Sequence, residues 1–295
     1  MDATDLRVFE AVARTGSMNR AARELHTVQS NVTARVRALE RELGFTLFQR
    51  NHKGASLTPA GMRLLPFAAR ASRLLEDARR AVADEGTPGG ELVVGALETT
   101  VAMRLAPTLA QFAADYPAVD LSLRTGTSCE LVDKVLSQQL DGAFVCGPVD
   151  HPELATELFC REELVLLTAR SIADCKSAFA NTQAKIVVLR AGCSYRQRLE
   201  TLLARRGIVG VRVLEFATLE AIIGCVSAGL GVTLLPKALL ETSSRRSPVR
   251  IHSLPNGEGQ VDTVFIRHRA AFVSSALRAF LDRARPALAP AAAAE

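Results

Sequence analysis

The sequence contains no apolar run of the roughly 18 residues that a membrane-spanning helix needs. Its start, Met1 to Glu10, lacks the basic segment and apolar core of a secretory signal, so the expected location is the cytoplasm, away from any membrane. The six cysteines, Cys129, Cys146, Cys160, Cys175, Cys193 and Cys225, lie far apart with no CxxC pair, which argues against a zinc site or a disulfide framework and leaves reduced thiols as the default. Catalytic constellations are missing as well. His151, His252 and His268 are scattered, and no Ser/His/Asp or His/Cys grouping suggests a nucleophile or a metal. Gly229-Leu230-Gly231 precedes a strand and lacks the strand-turn-helix setting of a dinucleotide loop. No enzyme activity, cofactor or metal is therefore expected. A small-molecule-binding protein or enzyme with an incidental helical hairpin remains as the rival from another class.

With 48% hydrophobic and 23% charged residues the chain is globular, and 295 residues exceed one ordinary core, so two or three folding units are expected. The net charge of +5 is mild, but its placement is not. Between Met18 and Arg63, Arg20, Arg23, Arg35, Arg37, Arg41, Arg50, Lys53 and Arg63 face only Glu24, Glu40 and Glu42, so a surplus equal to the whole chain's sits in this segment, where phosphate attraction would require it.

That segment reads as two helices at an angle. Ser17 is a suitable N-cap for a short helix over Met18 to Leu25, kept slim by Ala21 and Ala22; His26-Thr27-Val28 breaks it. In the second helix Val32, Val36, Leu39 and Leu43 form one buried stripe. Ser30, Thr33, Ala34, Arg37 and Arg41 then point away, with Gln29 and Arg35 on the flanks. Gln29, Ser30 and Thr33, with Asn31 beside them, suit base edges, and Arg35, Arg37 and Arg41 suit phosphates. An ordinary αα-hairpin with a solvated arginine-rich face is the rival reading of these helices taken alone. Thr46-Leu47-Phe48 and Ser56-Leu57 read as short strands around a tip, Asn51-His52-Lys53-Gly54, from which Arg50 and Lys53 could touch the DNA backbone or minor groove. Thr58-Pro59 starts a helix running to about Glu85, in which Gly61, Leu64, Ala68, Ala71, Leu75, Ala78 and Val82 make a heptad seam whose expected partner is the same helix of a second copy.

Leu6-Arg7-Val8-Phe9, Gly16-Ser17-Met18, Arg20 through His26, Gln29-Ser30, Leu47 through Arg50 and Leu57 through Gly61 together resemble the N-terminal winged helix-turn-helix of LysR-type transcriptional regulators. The chain departs from the usual pattern at Val28, Ser30 and Ala34, where Ser, Pro and Arg are customary. The motifs ETT (Glu98–Thr100), TGTS (Thr125–Ser128), GAFVCGP (Gly142–Pro148) and GCSYR (Gly192–Arg196) are similar to the branch with YofA-like and SoxR-like regulators. The resemblance implies a winged helix-turn-helix DNA-binding domain over residues 1–58, a dimerisation helix and hinge over 59–90, and an effector-binding domain over 91–285. It also implies a dimer pairing into a tetramer on palindromic double-stranded DNA, and leaves contact with RNA polymerase open.

After Gly86-Thr87-Pro88-Gly89-Gly90, the clearest break, the pattern turns to β-α alternation, giving an α/β fold behind the all-α N-terminal part. The chain crosses twice between two lobes, as in periplasmic binding proteins, with lobe I at 91–163 and 268–285 and lobe II at 164–267. The tail 286–295 is Ala/Pro-rich and reads as disordered. Ligands of open α/β sheets collect beyond the carboxyl ends of strands. That rule selects Glu98, Thr99 and Thr100, then Thr127 and Ser128, then Cys146 and Gly147, and finally Cys193 and Arg196, with Arg196 as a carboxylate clamp. Glu98 would suit an amine instead, so the effector's charge stays open. The functional rival is a redox-responsive regulator in which Cys193, at a helix start near arginines, has a lowered pKa.

Overall fold

The computed structural model describes residues 1–51, 54–179, 185–242 and 249–288, in two units, Met1–Glu85 and Gly86–Glu295. In the first, α1 (Ala3–Thr15) starts with a reciprocal cap: Asp5 N–H donates to the Asp2 carboxylate at 2.8 Å and Asp2 N–H to Asp5 at 3.0 Å. It is followed by α2 (Met18–Glu24) and α3 (Gln29–Leu43), joined by a turn in which His26 takes a left-handed φ of 50°. Val8, Ala11 and Val12 meet Ala21, Ala22, Val32 and Val36 in one core. The two alanines let the helices approach closely.

The hairpin strands are β1 (Phe48–Asn51) and β2 (Gly54–Leu57), so Thr46 and Leu47 are not part of the pairing. Leu47 has another task. Its N–H donates to Glu40 Oε1 at 2.7 Å, its carbonyl accepts from Thr58 N–H at 2.9 Å, and its side chain is buried beside Phe9, Leu39 and Ala68.

Helix α4 (Pro59–Ala83) is capped by Thr58, whose hydroxyl accepts from Gly61 N–H at 3.1 Å. The seam expected to face a second copy is divided. Gly61, Leu64 and Ala68 pack inside this unit, and a Cβ on Gly61 would lie 2.3 Å from the Leu47 carbonyl oxygen. The stripe left uncovered is turned to one side: Phe67 is 66%, Leu74 68% and Val82 88% exposed. Gly61→Ala should destabilise the protein by about 1–3 kcal/mol through overpacking against backbone, seen as a lower urea midpoint with an unchanged slope.

In the second unit, β3 (Gly90–Ala96) pairs in parallel with β4 (Val119–Thr125) and β5 (Gly142–Cys146). Between β3 and β4 run α5 (Glu98–Thr100), a π-helical turn (Val101–Leu105) and α6 (Ala106–Asp115); α7 (Ser128–Leu136) connects β4 to β5. The expected helix start at Val101 is three residues late, because Glu98-Thr99-Thr100 already wind. Strand β6 (Leu154–Ala169) follows, with α8 (Cys175–Phe179), β7 (Lys185–Val188), α9 (Ser194–Arg205), β8 (Arg212–Glu215), α10 (Leu219–Ser227), β9 (Thr233–Pro236), α11 (Lys237–Thr242), β10 (Val249–Ser253), β11 (Gln260–His268) and α12 (Ser275–Leu288).

Strand β6 spans both lobes. Leu154 to Glu163 pair with β11, and Leu164 to Ala169 with β9 and β10. Only the second half is a continuous apolar run, which is why its first half, with Glu157, Arg161, Glu162 and Glu163, is not evident from the sequence. Strand β11 also pairs with β5, so the chain is back in the first sheet by Gln260, not at 268. Helix α12 runs to Leu288, past the expected tail start at 286; residues 289–295 lie outside the described residues. Phe112, Phe144, Phe159, Phe265 and Phe280 stack in one aromatic cluster in lobe I. Another core runs from Leu131 and Val135 of α7 through Leu164 to Leu199 and Leu203 of α9, and so belongs to both lobes.

Candidate nucleic-acid interface and ligand cleft

Burial of Val32, Val36 and Leu39 forces the other side of α3 outward, and Gln29, Ser30, Asn31, Ala34, Arg37 and Arg41 are exposed. Thr33 is half-buried; its hydroxyl donates to the Gln29 carbonyl at 2.9 Å and accepts from Gln29 Nε2 at 3.1 Å. Gln29 is thereby held along the helix before any ligand arrives. Asn31 Nδ2 donates back to Thr27 Oγ1 at 3.0 Å. Val28, where the family customarily has serine, gives α3 an N-cap without a side-chain hydrogen bond; Asn31 N–H donates to the Val28 carbonyl at 3.1 Å, and the N–H groups of Gln29 and Ser30 have no partner among the described residues. A groove of about 370 Å³ lies between Ser17 at the start of α2, Gln29, Thr33 and Arg37 of α3, and Ala55 of β2.

Arg35 does not belong to this face. Its Nη1 lies 2.8 Å from Asp5 and 3.8 Å from Asp2, so it ties α3 to the start of α1 instead of reaching for phosphate. Arg37, exposed and without an ion pair among the described residues, is the better placed cation. Arg50 stands in β1 opposite Ala55; Lys53 lies outside the described residues.

In the second unit a cavity of about 530 Å³ opens between the lobes, a volume that suits a small metabolite. Four strand ends supply its walls: Leu97, Glu98 and Thr99 after β3, Thr125, Gly126 and Thr127 at β4, Leu189, Arg190, Cys193, Ser194 and Tyr195 after β7, and Glu215, Phe216 and Ala217 at β8. Of the expected ligand residues, Glu98, Thr99, Thr127 and Cys193 line it. Thr100 is fully buried behind it. Ser128 accepts from Ser194 Oγ at 2.9 Å and from Cys146 N–H at 3.3 Å, a clasp between the lobes. Cys146 and Gly147 face a different cavity, of about 520 Å³, with Arg198 and Arg205.

Arg196 is not the expected clamp. It lies 2.9 Å from Glu200 and 2.8 Å from Glu215, does not line the cavity, and these partners raise its pKa further. Tyr195 is expected only as part of the GCSYR motif, and Arg190, Glu215 and Phe216, which also line the cavity, are not expected at all. The strand-end rule that selected Glu98 would have found the last two had it been applied to the end of β8. Tyr195 is buried, with its hydroxyl 3.3 Å from Thr99 Oγ1. Burial, and then the charge of Glu162, push its pKa well above the ordinary tyrosine value, so the hydroxyl keeps its proton.

The thiols oppose the redox reading. Burial pushes the pKa of Cys193 up, not down, and it raises Cys146 in the same way; Cys160, buried beside Glu162, is pushed up to about 12. In peptide mass mapping after iodoacetamide treatment, exposed Cys129 should be alkylated about tenfold or more faster than Cys146, Cys160 and Cys193, because thiolate is the reactive form.

Comparison with known proteins agrees with both halves. The family described as "Bacterial regulatory helix-turn-helix protein, lysR family" matches residues 3–62, and "LysR substrate binding domain" matches residues 85–289. The regulator YusT of Bacillus subtilis is 43% identical over 97% of this chain and 96% of its own length; YofA of the same organism is 42% identical over 96% and 98%. Among solved structures, a full-length OxyR variant from Pseudomonas aeruginosa has a TM-score of 0.71 at 19% identity, covering 98% of this chain and 94% of its own. Full-length CbnR in complex with its target DNA has a TM-score of 0.62 at 24% identity, covering 97% and 100%. These likenesses carry the fold, and the family matches carry the rest: the chain belongs to the LysR family of DNA-binding transcriptional regulators, with a helix-turn-helix unit and an effector-binding domain.

Proposed function

We propose that this regulator acts in the cytoplasm as a homodimer on a palindromic operator, and that a small metabolite in the cleft between the lobes changes how the two DNA-reading units engage it. The observation that carries the reading is the outward polar face of α3, held against its buried stripe of Val32, Val36 and Leu39. Gln29 and Thr33 act as a base-reading pair, with Ser30 and Asn31 beside them, while Arg37 and Arg50 contact phosphates. The solved complex of CbnR with its target DNA supports the use of this fold on a duplex. Two copies meet through the uncovered stripe of α4, Phe67, Leu74 and Val82, large apolar side chains that are each more than half exposed. Dimers pair further into tetramers, and contact with RNA polymerase completes the regulatory response.

In mobility-shift titrations against the upstream region of the chain's own gene, Gln29→Ala and Thr33→Ala should each cost about 1–3 kcal/mol on the specific site and little on unrelated duplex. Arg37→Ala should weaken binding to every duplex and reduce the salt slope by about one. Arg35→Ala should leave that slope unchanged and lower the thermal midpoint; a flattened slope would return Arg35 to the DNA face. Phe67→Asp combined with Leu74→Asp should shift sedimentation to the monomer with unchanged circular dichroism, and should weaken binding to paired half-sites more than to a single one.

A further inference from the structure

The three arginines at or behind the cleft are already committed. Arg190 lies 3.0 Å from Glu130, Arg196 lies between Glu200 and Glu215, and Arg104, in the π-helical turn, lies 3.5 Å from Glu162. Of the three only Arg190 lines the cavity, and there an anionic effector would compete with the carboxylate of Glu130 already in place. Glu98 stands apart. It lines the cleft, is exposed to it, and its side chain has neither an ion pair nor a hydrogen bond among the described residues. Near Tyr195, Glu162 is almost wholly buried, and one of its oxygens, Oε2, has no hydrogen-bond partner among the described residues.

The hydroxyls point the same way. Thr99 and Tyr195, 2% and 4% exposed, share one hydrogen bond of 3.3 Å and both line the cavity. Two hydroxyls have four lone pairs and two protons between them, and their mutual bond uses one of each, so three lone pairs and one O–H remain at the cavity wall. Ammonium groups are donors only, and the lining of this cavity offers a carboxylate as well as hydroxyl oxygens. Leu97, Leu189 and Phe216 provide apolar wall nearby.

We propose that the cleft takes an effector bearing a cationic amine, with its ammonium on the Glu98 carboxylate and the Thr99 and Tyr195 hydroxyl oxygens and its carbon body against Leu97, Leu189 and Phe216. The proposal rests on the cleft being the effector site and decides its charge.

The test is differential scanning fluorimetry of the full-length chain at constant ionic strength with pentylamine, pentan-1-ol and pentanoate, which share a carbon chain and differ in the head group. Pentylamine should raise Tm and the other two should not. Glu98→Gln should weaken the apparent affinity for pentylamine about tenfold or more, and Glu98→Asp should restore part of it. A Tm rise with pentanoate, equal responses to pentylamine and pentan-1-ol, no response to pentylamine, or a pentylamine response unchanged in Glu98→Gln would each overturn the proposal. Mobility shifts on the same proteins separate it from the reading above. A chain that binds its operator through α3 but answers only pentanoate keeps that reading and loses this inference; one that binds pentylamine but no DNA does the reverse.

Discussion

A single strand, β6, supplies one sheet with its first half and the other sheet with its second, so the geometry of each lobe is set against the same sixteen residues of extended backbone. Because β3 and β4 lie in one sheet and β7 and β8 pair in the other lobe, the carboxyl ends of all four strands face a common space. The joint is not a loose tether. Leu164 and Leu166 of β6 share a core with α7 on one side and α9 on the other, and Met103 from the π-helical turn packs into the core beneath α10. The effector proposed for the cleft would therefore act on lobes that already share apolar contact, where a shift at one wall has to be taken up by packed side chains.

Electrostatics divide the molecule into two kinds of surface. In the second unit the arginines near the cleft are neutralised by nearby carboxylates, some of them, such as Arg104 with Glu162, largely out of water. In the first unit Arg35 is paired in the same way with Asp5 and Asp2, yet Arg37 is exposed and has no ion pair among the described residues. Position relative to α1 makes the difference. Arg35 lies on the flank of α3 next to a helix start that is capped by acids, and its guanidinium satisfies them at short range, where Coulomb attraction is least screened.

Much of the architecture could be read from the residues alone. Periodicity set the stripe Val32-Val36-Leu39 and hence the exposed face of α3; Thr58-Pro59 set the start of α4; the glycines from 86 to 90 marked the break between the units. These features are local, decided by side chains within a few turns of each other. Glu98, Thr99, Thr127 and Cys193 could be picked as cleft residues because strand ends in an α/β sheet are themselves local features.

Tertiary structure decided whatever depends on which distant residue arrives. The spacing of α4 suggested one seam for a second copy, but Gly61 and Ala68 are small because Leu47 and α1 lie against them, which turns the free stripe toward Phe67 and Leu74. Polar residues hid the first half of β6, since among the described residues it is an edge strand paired with β11 alone, and that neighbour defines it as much as its own pattern does. Arg35 looked like a free cation because its carboxylate, Asp5, is 30 residues away along the chain; for Arg196 one partner, Glu215, is 19 residues away, while the other, Glu200, is an i,i+4 neighbour that the sequence does show. The sequence by itself determined the apolar side of α3 and the strand ends at Glu98, Thr127 and Cys193. Only folding decided which charges are spent on each other, because an ion pair depends on distance through space and the linear order of residues does not contain it.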